Sequence, residues 1–426
     1  MTGDLVAMQD KSDQALAYCA RAEQLTAVVP DLPAGQSALP IERVGVIGAG
    51  TMGGGIAMNF LNAGMPVTLV ETSQAALDRG LAVIRRNYEN SARKGRITAE
   101  DVERRMALIA PTLDLAALAD ADLVIEAVFE EMAIKQDLFA RLDEIARPGA
   151  ILASNTSYLD LDAIAAATSR PQDVAGLHFF SPANVMRLVE IVRGAATRPE
   201  IVASLLALAP AIGKIPVVSR VCFGFIANRV MSVRRTMAEQ LVLEGSEPQD
   251  IDRALRDYGF AMGQFEVMDL VGLDVLGRGN TERTLRGDMV AIGRLGQKQG
   301  GGFYDYDADR TPTPSPVAAQ VIADFAAFRG VARTGALAPD EIIARLLYPV
   351  VNECARVVEE GIAVRASDVD VACRLGYNWP AATGGPMFWA DSVGLGRIVT
   401  ALETMGEEPC ALLRLTAAAG ERLVDA

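Results

Sequence analysis

The sequence predicts an α/β dinucleotide-binding domain followed by an all-α half, and three observations carry that expectation. Short apolar, β-branched runs alternate with helical patterns as far as about Ser219, a glycine-rich turn follows the first of them, and beyond Cys222 the strand signals stop. Strands that read as continuous apolar runs imply a parallel sheet covered by helices on both faces. At 426 residues, half of them apolar, the chain has ample material for several cores.

Residues 1–40 hold an amphipathic candidate helix, Asp13 to Leu25, and then a linker dense in turn formers, with Pro30, Pro33, Gly35 and Pro40. A nucleotide-binding domain of the Rossmann type is expected over 41–219. Its first strand is Val44-Gly45-Val46-Ile47, and Gly48-Ala49-Gly50-Thr51-Met52-Gly53 opens a helix that runs to Asn62-Ala63-Gly64. A second strand, Val67 to Val70, ends at Glu71. After a long basic helical hairpin come Leu123-Val124-Ile125-Glu126-Ala127, a helix around Ala133 to Glu144, and Ile151-Leu152-Ala153-Ser154.

Two tandem, related helical domains fill the rest, 220–310 and 340–426, with a connector at 311–339. Their kinship is visible as an internal repeat. Leu243-Glu244-Gly245, Asp250-Ile251-Asp252 and Val271-Gly272-Leu273 are echoed by Glu359-Glu360-Gly361, Asp368-Val369-Asp370 and Val393-Gly394-Leu395. The offset drifts only from 116 residues at the first glycine pair to 122 at the last. The run Thr311-Pro312-Thr313-Pro314-Ser315-Pro316 suits an extended, exposed connector.

Composition excludes several classes of function. A formal charge of −14 disfavours nucleic acid, whose phosphates call for clustered lysine and arginine. No apolar stretch reaches the roughly 18–20 residues that span a bilayer, and Met1-Thr2-Gly3-Asp4 lacks the basic start of a secretory signal. The five cysteines are far apart and form no Cys-x-x-Cys pair, so no metal is expected, and reduced thiols in a cytoplasm are.

The glycine turn follows a strand, opens a helix and has an acidic residue, Glu71, 21 positions after Gly50. Gly48 allows the tight turn, Gly50 lets the main chain approach a pyrophosphate, and Gly53 permits close helix packing. The helix N-terminus at Thr51 and Met52 then binds the phosphates. Glu71, at the end of the second strand, would bind ribose hydroxyls and repel a 2′-phosphate, which selects NAD over NADP; its ordinary alternative is a solvated strand end.

With His178 as its one histidine, the chain has at most one imidazole for proton transfer. Twelve residues on, Glu190 interrupts the apolar run Leu188-Val189-Glu190-Ile191-Val192. A carboxylate is rarely buried without a partner, and two consecutive strands with a tight connection would place it behind the imidazole, as a general base requires.

These residues resemble the L-3-hydroxyacyl-CoA dehydrogenase family from about Ile41 to the C-terminus. The resemblance rests on Val46-Ile47-Gly48-Ala49-Gly50-Thr51-Met52-Gly53, Glu126-Ala127-Val128-Phe129-Glu130, Ser154-Asn155-Thr156-Ser157, Leu177-His178-Phe179-Phe180-Ser181-Pro182 and Gly224-Phe225-Ile226-Ala227-Asn228-Arg229, in that order. The tandem helical domains resemble more closely the dehydrogenase portion of multifunctional β-oxidation enzymes, without their hydratase/isomerase domain and with residues 1–40 in place of the connecting helix.

The resemblance implies NAD-dependent, reversible oxidation of an L-3-hydroxyacyl-CoA to the 3-ketoacyl-CoA, in fatty acid β-oxidation or related acyl-CoA metabolism. The alternatives are a short-chain 3-hydroxybutyryl-CoA dehydrogenase of biosynthesis and a non-catalytic NAD-binding paralogue. By position it makes His178 the base and Glu190 its orienting carboxylate, and sets Ser157 and Asn228 on the substrate 3-oxygen and the histidine. Glu130 and Lys135 fall at the nicotinamide end of the cofactor, with Asn155 beside them, and the basic hairpin around Arg93 and Lys94 falls at the coenzyme A moiety. Ordinary readings stand beside these: Ser157 as a helix cap, Asn228 as a residue at the domain junction, Lys135 as an exposed helix lysine, Arg93 and Lys94 as a solvated face. Gln264 stands where the family commonly has proline and is expected to alter a turn. The second helical copy is expected to take the face through which single-copy relatives dimerise, giving a monomer or weak oligomer, with a separate hydratase or thiolase as candidate partner.

Overall fold

In the computed structural model, which describes residues 2–33, 35–276 and 282–424, the apolar runs of the first half form one eight-stranded sheet. Its strands are β1 (Val44–Ile47), β2 (Val67–Val70), β3 (Ile109–Thr112), β4 (Leu123–Glu126), β5 (Ile151–Ser154), β6 (Val174–Phe179), β7 (Leu188–Arg193) and β8 (Ile215–Arg220). They lie in the order β3-β2-β1-β4-β5-β6-β7-β8. Strands β1 to β6 are parallel, as expected, but β7 returns antiparallel to β6 and β8 follows β7, so the sheet is mixed. The eight residues between Phe179 and Leu188 are too few for a parallel crossover, which takes a dozen or more. Edge strand β3 escaped the sequence reading because Pro111 interrupts a short, half-exposed run; proline belongs at such an edge.

Helices cover both faces. Successive residues of β4 serve opposite cores: Leu123 and Ile125 pack with Phe60, Leu69 and Phe179, whereas Val124 packs with Phe139, Leu152 and Ile164. The N-terminal helix, Thr2–Leu25, begins well before Asp13.

By contacts the described chain separates into two units. A nucleotide unit comprises residues 13–229 and 357–377, and a helical unit comprises residues 2–12, 230–356 and 378–424. The repeat is structural as well as sequential. The eight-residue helices Gln264–Val271 and Pro386–Val393 end at Gly272 and Gly394, whose φ values of 102° and 99° few other residues adopt. Residues 311–339 are more than an extended connector. Pro312–Pro314 forms β10, antiparallel to β9 (Tyr304–Tyr306), and Ser315 and Pro316 then start the 14-residue helix Pro316–Arg329. A serine cap followed by proline at the first helical position is a helix-start signal, which the proline run obscured.

Gln264 does not alter a turn. It is the first residue of its helix, a position where proline and glutamine both fit, and its buried side-chain oxygen accepts the Arg234 Nε–H at 2.7 Å.

Candidate active site

All the candidate catalytic, cofactor and coenzyme A residues named above lie within the nucleotide unit. The parallel strands β1, β2, β4, β5 and β6 end at one edge, and the order reverses direction between β1 and β4, where such sheets bind ligands.

The glycine turn fits a dinucleotide. Gly48 has φ of 97°, and a side chain at Gly53 would collide with the Gly48 carbonyl at 1.8 Å, so helix and turn pack without room for a Cβ. A Cβ on Gly50 would meet nothing within 4 Å, which leaves that face of the main chain open for a pyrophosphate at the start of the helix Thr51–Asn62. At the end of β2, Glu71 Oε1 accepts the Ala49 N–H at 3.0 Å and Oε2 the Thr72 N–H at 2.7 Å. Its carboxylate is thereby fixed beside the turn.

Register pairs His178 on β6 directly with Glu190 on β7, and the imidazole Nδ1 lies 2.7 Å from Glu190 Oε2. Donation of the Nδ1 proton to the carboxylate leaves Nε2 as the basic nitrogen. Glu190 is wholly buried, and its other oxygen accepts the N–H groups of Ile226 at 3.2 Å and Ala227 at 2.9 Å. Those donors reach it because Gly224 and Phe225 turn left-handed, with φ of 77° and 51°. For phenylalanine this costs about 1–3 kcal/mol, a strain that the surrounding structure must hold. The rings of Phe180 and Phe225 flank the imidazole at 4.5 and 5.7 Å.

A second ionic group lies at the ends of β4 and β5. The ammonium of Lys135 meets Glu126 at 2.6 Å and Glu130 at 3.3 Å. Lys135 is 1% exposed, which excludes the exposed-lysine reading. Glu126, which sequence reasoning left without a role, also accepts the Ser154 hydroxyl at 2.6 Å and the Val128 N–H at 2.8 Å. It carried the same kind of signal as Glu190, an acid in an apolar strand run.

Glu130 Oε1 accepts the Thr156 hydroxyl and Ser157 N–H, both at 2.7 Å, and the Tyr158 N–H at 3.0 Å. Burial opposes the charge on Glu130, yet Lys135 and these donors hold its pKa below the usual carboxylate range. Glu130 thus fixes the turn that carries Ser157. That serine does not cap the following helix, which takes its cap from Asp160, and among the described residues its hydroxyl has no protein partner. Asn155 Oδ1 accepts the Phe179 N–H at 2.8 Å, tying the end of β5 to the strand of the histidine. The hydroxyl of Tyr377 donates to Asn228 Oδ1, a contact between residues 149 apart that no local motif announces. Arg93 and Lys94 are exposed at the tip of the hairpin formed by Gln74–Arg93 and Ala99–Met106.

Comparison with known proteins agrees with this geometry. Residues 43–222 match the family model for the NAD-binding domain of 3-hydroxyacyl-CoA dehydrogenase, and 224–306 and 342–426 match its C-terminal domain. The chain is 38% identical over 416 residues to the peroxisomal bifunctional enzyme of Cavia porcellus, covering 90% of this chain and 57% of that one. It spans about half the length of the curated relatives it matches. Among solved structures, the 3-hydroxybutyryl-CoA dehydrogenase of Escherichia coli is 33% identical with a TM-score of 0.78, covering 89% of this chain and 99% of that one. The dehydrogenase part of multifunctional enzyme 1 from C. elegans is 30% identical with a TM-score of 0.67, covering 94% and 96%.

Proposed function

The chain belongs to the 3-hydroxyacyl-CoA dehydrogenase family, and from that premise we propose that it oxidises an L-3-hydroxyacyl-CoA to the 3-ketoacyl-CoA, reversibly, with NAD. The observation that carries this is the His178–Glu190 pair, buried at the same sheet edge as a glycine turn open to a pyrophosphate. His178 Nε2 takes the proton of the 3-hydroxyl, and Glu190, held by two main-chain donors, stabilises the imidazolium that forms. Ser157 and Asn228 donate to the 3-oxygen as its charge develops. NAD bound here would supply the acceptor for the hydride of carbon 3. Gly48, Gly50, Thr51, Met52 and Gly53 hold its phosphates and Glu71 its adenosine ribose. Glu130, with a side chain 32% exposed, faces the nicotinamide end, and Lys135 acts from behind it.

His178→Ala is expected to lower kcat by roughly a thousandfold while NADH still binds. Near-native turnover in that variant refutes the mechanism. A short-chain reading is favoured by the Escherichia coli 3-hydroxybutyryl-CoA dehydrogenase, matched over nearly its whole length. A rate profile over acyl chain lengths, with NAD and with NADP, separates the two readings. Glu71→Ser should relax the cofactor choice, and an unchanged preference contradicts its role.

We further propose coenzyme A contacts at Arg93 and Lys94, a monomeric or weakly associating chain, and a hydratase or thiolase as partner. Among the described residues no helix is long and apolar enough to cross a membrane, and no disulfide forms. Those thiols favour a reducing compartment such as the cytoplasm, whereas several relatives are named as peroxisomal.

A further inference from the structure

The helix Ala366–Tyr377 belongs by sequence to the second helical copy, yet it is part of the nucleotide unit. The segment 357–377 that carries it is attached by specific contacts. Arg229 engages both carboxylate oxygens of Glu360 at 2.6 and 3.0 Å, and the Arg220 N–H donates to the Ile362 carbonyl at 2.9 Å. Tyr18 donates to Asp370 at 2.6 Å, and Arg374 meets Glu23 at 2.8 Å. At Gly376 the approach is so close that a Cβ would lie 3.1 Å from Leu188 and 3.4 Å from the Phe180 ring.

The helix ends at Tyr377, whose ring stands edge-on to Phe180 at 6.1 Å and 87°; Phe180 is the ring packed against the imidazole. The Tyr377 hydroxyl donates to Asn228 Oδ1. An amide whose carbonyl is committed in this way offers its NH2 group to a ligand, whereas a freely rotating amide also presents an acceptor to a developing alkoxide.

We propose that Tyr377 is a positioning residue of the dehydrogenation, contributed by the second helical copy, which holds the Asn228 amide with its N–H donors toward the substrate 3-oxygen. This rests on the reading that Asn228 contacts that oxygen. The mechanism then depends on a segment almost 150 residues away in sequence, and the second copy is a working part of the catalytic unit.

The test is a double-mutant cycle on the full chain. Tyr377→Phe keeps the ring against Phe180 and removes only the hydroxyl. It is expected to lower kcat roughly tenfold, with the KM for acyl-CoA changed less than about twofold and NADH affinity retained. Asn228→Ala is expected to lower kcat at least as far, and adding Tyr377→Phe to it should cost nothing more. Native kcat in Tyr377→Phe, or two effects that multiply independently, overturns the proposal while leaving the role of Asn228 standing. Native turnover in Asn228→Ala removes that role and the proposal with it. A loss seen in Tyr377→Ala but absent from Tyr377→Phe assigns the effect to packing and equally overturns it.

Discussion

The two helical copies share their caps and part company in one helix. In the first copy, Pro248–Tyr258 stays in the helical unit, and its Asp252 accepts the N–H groups of Phe265 and Glu266 at 2.9 and 3.0 Å and the Tyr304 hydroxyl at 2.8 Å. In the second copy the corresponding Asp370 takes the Tyr18 hydroxyl, and its helix packs with the nucleotide unit. The first helix closes with Gly259 in a left-handed conformation, φ 116°. The second runs one residue further, through Tyr377, before Asn378 turns left-handed with φ 54°. Asparagine tolerates that region, so the extra residue needs no glycine after it. Duplicated helices thus keep one backbone plan: the aspartate of the first copy caps Gln264–Val271 within the helical unit, and that of the second takes the Tyr18 hydroxyl within the nucleotide unit.

The largest effect is expected at the aspartate of the first copy. Asp252→Ala leaves the Phe265 and Glu266 N–H groups and the Tyr304 hydroxyl without their acceptor and should destabilise the chain by about 4 kcal/mol, read as a urea midpoint. A loss below about 1 kcal/mol would show that this capping is not needed. Next comes Gly376→Val, which drives methyl groups into Leu188 and Phe180 and should cost roughly 2 kcal/mol. A neutral result would mean that the close approach is not needed.

A pH dependence follows in size. Burial pushes the Asp252 carboxyl up to about 7 and that of Asp269 up to about 6. The folded state therefore keeps these protons where the unfolded chain, with carboxyls near 3.8, has lost them. Their contribution is present in full below that value and is lost as pH rises through 6 to 7. The denaturation midpoint of the helical unit should fall over that window, and Asp252→Asn should flatten the slope; a slope as steep as the parent's contradicts the assignment. Glu130 in the nucleotide unit, held below its usual range, works in the opposite sense: its contribution is present in full above 4.5 and is lost as pH falls below that value. Smallest is Glu360→Gln, worth about 0.5 kcal/mol, because its carboxylate is 42% exposed.

What was legible in the chain had local or periodic signatures. The glycine turn, Glu71 and the His178–Glu190 pair were readable because strand register turns sequence spacing into contact. The edge strand β3 was not, since Pro111 blurs its short run. Glu126 was within reach, as an acid in an apolar strand, and its partner Lys135 was misjudged by the ordinary reading because nine residues of separation conceal a buried pair. Tyr377 had no signal of its own. Its partner is fixed by tertiary packing of a repeat, and a repeat read from sequence suggests equivalence where the structure shows divergence.

The placement of residues 357–377 also bears on how the chain can be cut. A break at Pro339, where the sequence repeat begins, would strip β8 of the main-chain partners Ile362 and Ala363 and Arg229 of Glu360. Exchange of the second copy between homologues is therefore not a swap of independent modules. A graft that respects the folded boundaries carries the segment 357–377 with the recipient's own nucleotide half, and a hybrid built on chain order alone inherits a mismatched joint beside the Phe180 ring that packs on His178.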